Sequence, residues 1–261
     1  MEEPSVKQCC AAFYGSDLAR VLLGESFHPG GTELTGRLGE LLDLKRDSHV
    51  LDVASGRGTS ALHLAETFQC RVTGVDLSEP NVQAANTEAA SRGLDGTVRF
   101  ELGDAERLPF PDASFDAIVC ECAFCTFPSK AVAAREFFRV LEPGGRVGIS
   151  DLTRTEKQIP DLEGLLAWIA CIGDALPAEE YTAILQASGM RVECTEEHND
   201  ALEEMVRGVQ SRLFGIEVMA GLGKLQLPGI DLNSAKQFAT AAGEAIRNGS
   251  LGYAVIIARR V

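Results

Sequence analysis

The stretch His49–Gly58, HVLDVASGRG, decides how the rest of the chain is read. Its first five residues are apolar with little alternation, as in a strand covered on both faces. Asp52 falls at the end of that strand. Gly56 and Gly58 let the backbone turn tightly and leave room for a ligand. Residues 59–68, TSALHLAETF, then have helical spacing, with Ala61, Leu62, Ala65 and Phe68 on one side. A strand, a glycine loop and a helix in this order bind a nucleotide-like cofactor at the strand's carboxyl end. One glycine loop is a weak signal, and its neighbours must supply the rest.

The chain has 261 residues, enough for one large α/β domain with decoration. Apolar residues make up 45% and charged residues 24%, the balance of a soluble globular protein. Lys and Arg total 24 against 38 Asp and Glu, giving a net charge of −14. That argues against nucleic acid or an anionic membrane as partner. The opening MEEPSVKQCC has no basic-then-apolar signal. No apolar run approaches the ~18–20 residues of a membrane helix. The expectation is a cytoplasmic protein whose eight cysteines are thiols.

Residues 4–25 have amphipathic helical spacing, and a second helix restarts near Thr32 after Pro29-Gly30-Gly31. Beyond the opening stretch, Cys70–Ser78 reads as strand two ending in Asp76, an acid placed to accept hydrogen bonds from ribose hydroxyls. Ser78 caps the helix that begins at Glu79-Pro80. Thr97–Leu102 is strand three and Phe115–Cys122 strand four. Ser129 caps a helix to Leu141, which Pro143-Gly144-Gly145 stops, and Arg146–Asp151 is strand five. Residues 152–177 read as irregular. Ala178–Ser188 is helical, Met190–His198 a strand, 200–219 and 232–248 helical, and Leu251–Arg259 the last strand. Strands alternating with helices at this spacing predict an α/β fold with a doubly wound, mostly parallel sheet.

Taken together these segments resemble the class I S-adenosylmethionine-dependent methyltransferases, from about residue 48 to the end. The carriers are DVASGRG at 52–58, VDLS at 75–78, GDAERLPFPDASFDAIVC at 103–120 and FFRVLEPGGRVGISD at 137–151. A dinucleotide site would instead want G-x-G-x-x-G. The resemblance implies a seven-stranded Rossmann-like methyltransferase fold with N-terminal helices, 1–47, as a lid segment. The methyltransferase domain spans 48–261, with a substrate-side insertion at about 152–177 and further helices toward the C-terminus. It also implies S-adenosylmethionine as cofactor. Asp52 and the backbone of Ala54, Ser55, Gly56 and Gly58 would hold its methionine part, Asp76 with Leu77 its ribose, and Asp104, Ala105 and Glu106 its adenine end. Cys120 and Tyr14 would stand close by, Tyr14 as part of the lid. One position departs from the pattern: the family usually has Gly where Ala54 stands. Alanine is tolerated there if its φ is negative.

The cysteines bear on the acceptor. Cys120, Cys122 and Cys125 cluster at the end of strand four, Cys171 lies in the insertion, and Cys9 and Cys10 are N-terminal. A lone cysteine is ordinarily an inert buried thiol, which suits Cys70 and Cys194. Cys122-x-x-Cys125 has zinc-like spacing, but no second pair follows. A redox pair of that spacing normally opens a helix beside a positive charge. CECAF at 120–124 and ACIGDALPAEEYTAILQASGM at 170–190 resemble segments of arsenite methyltransferases. That resemblance implies trivalent arsenic held by Cys122 and Cys171. It also implies a redox role for Cys9 or Cys10, and a thiol reductant such as glutathione or thioredoxin as partner. Soft arsenic binds thiolates and needs no general base, because its attacking lone pair carries no proton. The alternatives are a methyltransferase for a small organic metabolite, with Glu121 or His28 available as base, and a protein that binds cofactor or metalloid without turnover.

Overall fold

The computed structural model describes residues 27–155, 159, 162, 163, 167, 171–221 and 231–261. The helix expected over 4–25, with Cys9, Cys10 and Tyr14, lies outside the described residues. The elements run α1 (Gly31–Leu41), β1 (His49–Val53), α2 (Thr59–Phe68), β2 (Arg71–Asp76), α3 (Glu79–Ser91), β3 (Val98–Leu102) and β4 (Phe115–Glu121). They continue with α4 (Lys130–Val140), β5 (Leu141–Arg154), α5 (Ala178–Ala187), β6 (Met190–Glu197), α6 (Asn199–Gly221), α7 (Leu232–Arg247) and β7 (Leu251–Arg260).

The seven strands form one sheet in the order β3-β2-β1-β4-β5-β7-β6. The first five in that order are parallel, and β7 lies antiparallel between β5 and β6. In β1, Val50, Leu51 and Val53 are fully buried, which is why the strand alternates so little. The strand order reverses beside β1, between β2 and β4, and in open α/β sheets such a switch point opens a crevice at the carboxyl ends.

The turn from β1 into α2 fits around one side chain. Gly58 has φ 86°, and a Cβ there would lie 2.5 Å from the Phe100 ring. Gly74 on β2 leaves the same ring room, since its Cβ would approach to 2.2 Å. Phe100 on β3 thus locks the loop against the sheet. Ser78 caps α3 as expected, accepting a hydrogen bond from Asn81 N with Pro80 in the first turn. Ser129 behaves differently. It occupies the N-cap of α4, but its hydroxyl makes no capping bond, and its own N–H donates to Glu106 Oε1 at 2.6 Å. A carboxylate from another segment has taken over the position.

Strand β5 is longer than expected. It begins at Leu141, directly after α4, and passes through Pro143-Gly144-Gly145 with a register shift against β4. It also reaches Arg154, into the stretch expected to be irregular, because β7 pairs with it residue by residue from Arg146↔Arg259 to Arg154↔Leu251. Tyr181 of α5 secures the following loop: its buried hydroxyl donates to Leu152 O at 3.1 Å and accepts from Leu176 N at 3.0 Å. Tyr181→Phe would strand both backbone groups in the core. It is expected to lower the unfolding free energy by about 1–3 kcal/mol, read as a shifted urea midpoint with unchanged m-value.

Candidate active site

A cavity of about 380 Å³ opens at the carboxyl ends of β1, β2 and β4, within the usual size of a small-molecule site. Asp52, the last-but-one residue of β1, lines it and is 2% exposed. Burial, then Glu121 and Asp76 nearby, hold its carboxyl well above the usual carboxylate range. Its Oδ2 has no hydrogen-bond partner among the described residues, and neither has the buried Ser55 Oγ. Two orphaned polar atoms on a cavity wall cost stability until a ligand satisfies them.

Asp76 ends β2 and reaches across to the glycine loop. Its Oδ2 accepts from Gly56 N at 2.8 Å, and its Oδ1 accepts from Ser78 N at 2.8 Å and Asn81 Nδ2 at 3.4 Å. Burial raises its pKa, and these three donors hold the ionised form in place. Leu77 lies next along the wall, 43% exposed, with Asp104 and Ala105 opposite. Asp104 also serves its own turn, accepting from Glu106 N at 3.0 Å.

The cavity therefore brings together Asp52, Ala54, Ser55, Gly56, Asp76, Leu77, Asp104, Ala105 and Cys122. Gly58, Glu106, Cys120 and Cys171 are not on its wall. Gly58 packs on Phe100, and Glu106 is engaged with Ser129. Cys120 is fully buried within β4, where alternation turns its neighbour Glu121 toward the cavity.

Ala54 has φ 59°, in the left-handed region. The condition under which alanine is comfortable at this glycine position, a negative φ, is not met. The β1–α2 turn requires the left-handed geometry and the methyl group bears its strain.

On the same cavity wall His28, on the chain leading into α1, faces Glu121 of β4, with His28 Nε2 at 3.7 Å from Glu121 Oε2. Thr35 donates to Glu121 Oε2 at 3.0 Å and Ser150 to Oε1 at 3.3 Å. Tyr253 OH in turn donates to Ser150 Oγ at 3.0 Å. Phe27, Ala123, Thr126 and Phe127 also line the cavity.

Behind Cys122 lies a knot of thiols. Cys171 Sγ donates to Cys122 O at 3.4 Å. Hydrogen bonding to Cys171 and burial push the Cys122 thiol well above the ordinary thiol range, and burial first, then Cys171, does the same to Cys125. Cys122 and Cys171 both sit at positive φ, 50° and 61°. Asp151 of β5 lies beneath them, 1% exposed, accepting from Cys125 N and Leu152 N, each at 2.8 Å. Burial, with Cys171 beside it, pushes the Asp151 carboxyl up to about 7. Of the three thiols only Cys122 reaches the cavity wall. Among the described residues no group of three or more His, Cys, Asp or Glu side chains has the arrangement of a metal site.

Residues 51–149 match the family model described as "Methyltransferase domain". The chain is 31% identical to the 27-O-demethylrifamycin SV methyltransferase of Amycolatopsis mediterranei, over 94% of this chain and 93% of that protein. It is 26% identical to the O-methyltransferase resE of Aspergillus sclerotiorum, over 91% and 85%. A putative sarcosine dimethylglycine methyltransferase structure from Galdieria sulphuraria superposes with a TM-score of 0.80 at 19% identity. That match covers 96% of this chain and 98% of the other, and is a likeness of fold.

Ala54→Gly removes the left-handed strain of about 1–2 kcal/mol and returns part of it as extra freedom in the unfolded chain. A net stabilisation of about 0.5–1 kcal/mol is expected in urea unfolding. Asp151 binds its proton more tightly folded, at about 7, than unfolded, near 3.8. Its contribution therefore makes stability fall as pH rises from about 4 to about 7. Asp151→Asn should flatten that segment of the stability–pH curve and lose one backbone hydrogen bond.

Proposed function

The chain belongs to the S-adenosylmethionine-dependent methyltransferases, and on that premise we propose that it methylates a small organic acceptor seated beside His28 and Phe127 in the cavity. The observation that carries this reading is one cavity whose wall combines two chemically different sets of residues. One set is Asp52, Ser55, Asp76 and Asp104. The other joins Phe27, Ala123 and Phe127 to the polar His28 and Glu121, the mix of apolar wall and few polar groups typical of an organic ligand's site.

The cofactor's residues follow from the unsatisfied atoms. Asp52 Oδ2 and Ser55 Oγ suit the ammonium and carboxylate of a methionine, Asp76 the ribose hydroxyls, and Leu77 with Asp104-Ala105 the adenine. Bound there, S-adenosylmethionine supplies an electrophilic methyl group on a sulfonium. The protein's share is to hold the two reactants in line and exclude water, which in favourable cases supplies ~7–11 kcal/mol.

A second reading, methyl transfer to trivalent arsenic with a thiol reductant such as glutathione or thioredoxin restoring the site, is favoured by the closeness of Cys122 and Cys171. Against it, only Cys122 reaches the cavity wall, and burial disfavours the thiolates that soft arsenic needs.

Isothermal titration with S-adenosylhomocysteine tests the cofactor's residues. Asp52→Asn should weaken binding about tenfold, equivalent to ~1.4 kcal/mol. Unchanged affinity would remove Asp52 from the cofactor's partners. Cys171→Ser should leave organic methylation within about twofold of wild type, a change under ~0.5 kcal/mol. Arsenite methylation that both Cys122→Ser and Cys171→Ser abolish would install the second reading instead.

A further inference from the structure

We propose that His28 is the general base of the reaction, that Glu121 positions it, and that the acceptor atom carries a proton to give up and is a hydroxyl oxygen. The inference rests on the methyltransferase reading above and narrows its substrate class.

The protonation of the imidazole is set by its neighbours. Nδ1 lies 3.2 Å from Pro29 O, and a carbonyl can only accept, so Nδ1 carries the hydrogen. That leaves Nε2 with its lone pair. Around Nε2 stand Ser60 Oγ and Thr35 Oγ1, each at 3.4 Å, and Glu121 Oε2 at 3.7 Å. Thr35 also reaches Glu121 Oε2 and Gly31 O, at 3.0 and 3.3 Å, so its hydrogen need not be spent on Nε2. The ring is 8% exposed, and its opening is onto the cavity.

Glu121 is fixed from behind. Its carboxylate takes one hydrogen bond from Thr35 and one from Ser150, and Tyr253 backs Ser150. A carboxylate so held cannot swing away, and it faces the nitrogen that gains charge. This is the orienting arrangement that a base requires.

The proton balance calls for such a group. A neutral hydroxyl that accepts a methyl cation must give up its proton, while the donor's sulfonium becomes a neutral thioether. The oxygen–hydrogen bond breaks, the proton passes to His28 Nε2, and the resulting imidazolium pairs with Glu121. Solvent removes the proton after the product leaves. A carbon nucleophile already deprotonated, or a soft lone pair, would need none of this.

The test uses the full protein with labelled S-adenosylmethionine and a probe panel of naphthols, hydroxyquinones, aryl amines and aryl thiols. Wild type is expected to methylate the hydroxyl probes. His28→Gln should lower kcat at least ~100-fold, the lower range for loss of a general base. Glu121→Gln, which removes the charge and keeps one of the two hydrogen bonds that Glu121 accepts, should lower kcat about tenfold. Both variants should bind S-adenosylhomocysteine within about threefold of wild type, a shift below ~0.7 kcal/mol. Nitrogen-15 spectra of the imidazoles should show His28 as the Nδ1–H tautomer in wild type and in Glu121→Gln. A His28→Gln rate within threefold of wild type would overturn the inference. So would parallel losses of rate and cofactor affinity in both variants, an Nε2–H tautomer, or methylation confined to amines or thiols. A wild-type protein that binds S-adenosylhomocysteine but methylates no panel member would overturn the small-acceptor reading itself.

Discussion

Gly56 N–H reaches 2.8 Å across to Asp76 Oδ2, and Ser55 N reaches Val75 O at 3.0 Å. Those two bonds join the loop after β1 to the tip of β2, and the cavity exists because of them. Neighbouring parallel strands end side by side with no hairpin to tie them. A lateral bond from backbone to carboxylate supplies the tie, and a hydrogen bond to a charged group is worth about 1.5–3 kcal/mol. Beneath it the Phe100 ring fills the space that Gly58 and Gly74 leave. The loop is thus pinned from the side and from below, and the strain at Ala54 persists because both constraints hold it.

The carboxylates clustered around this tie explain the rest of the site. Asp52 and Asp76 are buried, the Glu121 side chain is nearly covered, and Glu121 and Asp76 both add to the cost of charging Asp52. The three are handled differently. Asp76 is hydrogen-bonded by the loop it clamps, Glu121 by hydroxyls from α1 and β5, and Asp52 Oδ2 by nothing among the described residues. A ligand of positive charge would favour the ionised form of the buried Asp52 carboxyl, and the sulfonium and ammonium of S-adenosylmethionine have that sign.

Much of this was legible in HVLDVASGRG and its successors, because parallel strands and capped helices leave local marks. The strand spacing, the places of Asp52 and Asp76 at the ends of β1 and β2, and the Ser78 cap are local properties, and the structure repeats them; the ligand roles of the two acids belong to the proposal. What the sequence could not carry were relations between distant residues. Ser129 has a capping residue's identity, yet Glu106 from another segment takes the bond. Cys120 and Cys122 look alike in CECAF, but Cys120 is buried inside β4, whereas Cys122 follows the end of that strand, turns with φ 50° and reaches the cavity wall. The sign of φ at Ala54 depends on the tie to β2, which no residue spacing reveals. The nearness of His28 to Glu121 spans three helices, α1–α3, and four strands, β1–β4. Only the Pro-Gly-Gly after His28 hinted that the chain turns back toward the sheet there.

The position of β7 gives the molecule a sequence in time. Nine consecutive residue pairs join it to β5, and it separates β5 from β6 although every other strand precedes it in the chain. A ribosome delivers it after all its sheet neighbours. Until then β5 presents an open edge, and β6 has no partner. The groups around Asp52 and Asp76 need only residues up to about 121, whereas the hydroxyl behind Ser150 belongs to Tyr253. During synthesis, then, the surroundings of Asp52 and Asp76 can assemble well before Glu121 and Ser150 have the support of Tyr253. The last strand to be made completes the backing of a site whose wall is already in place.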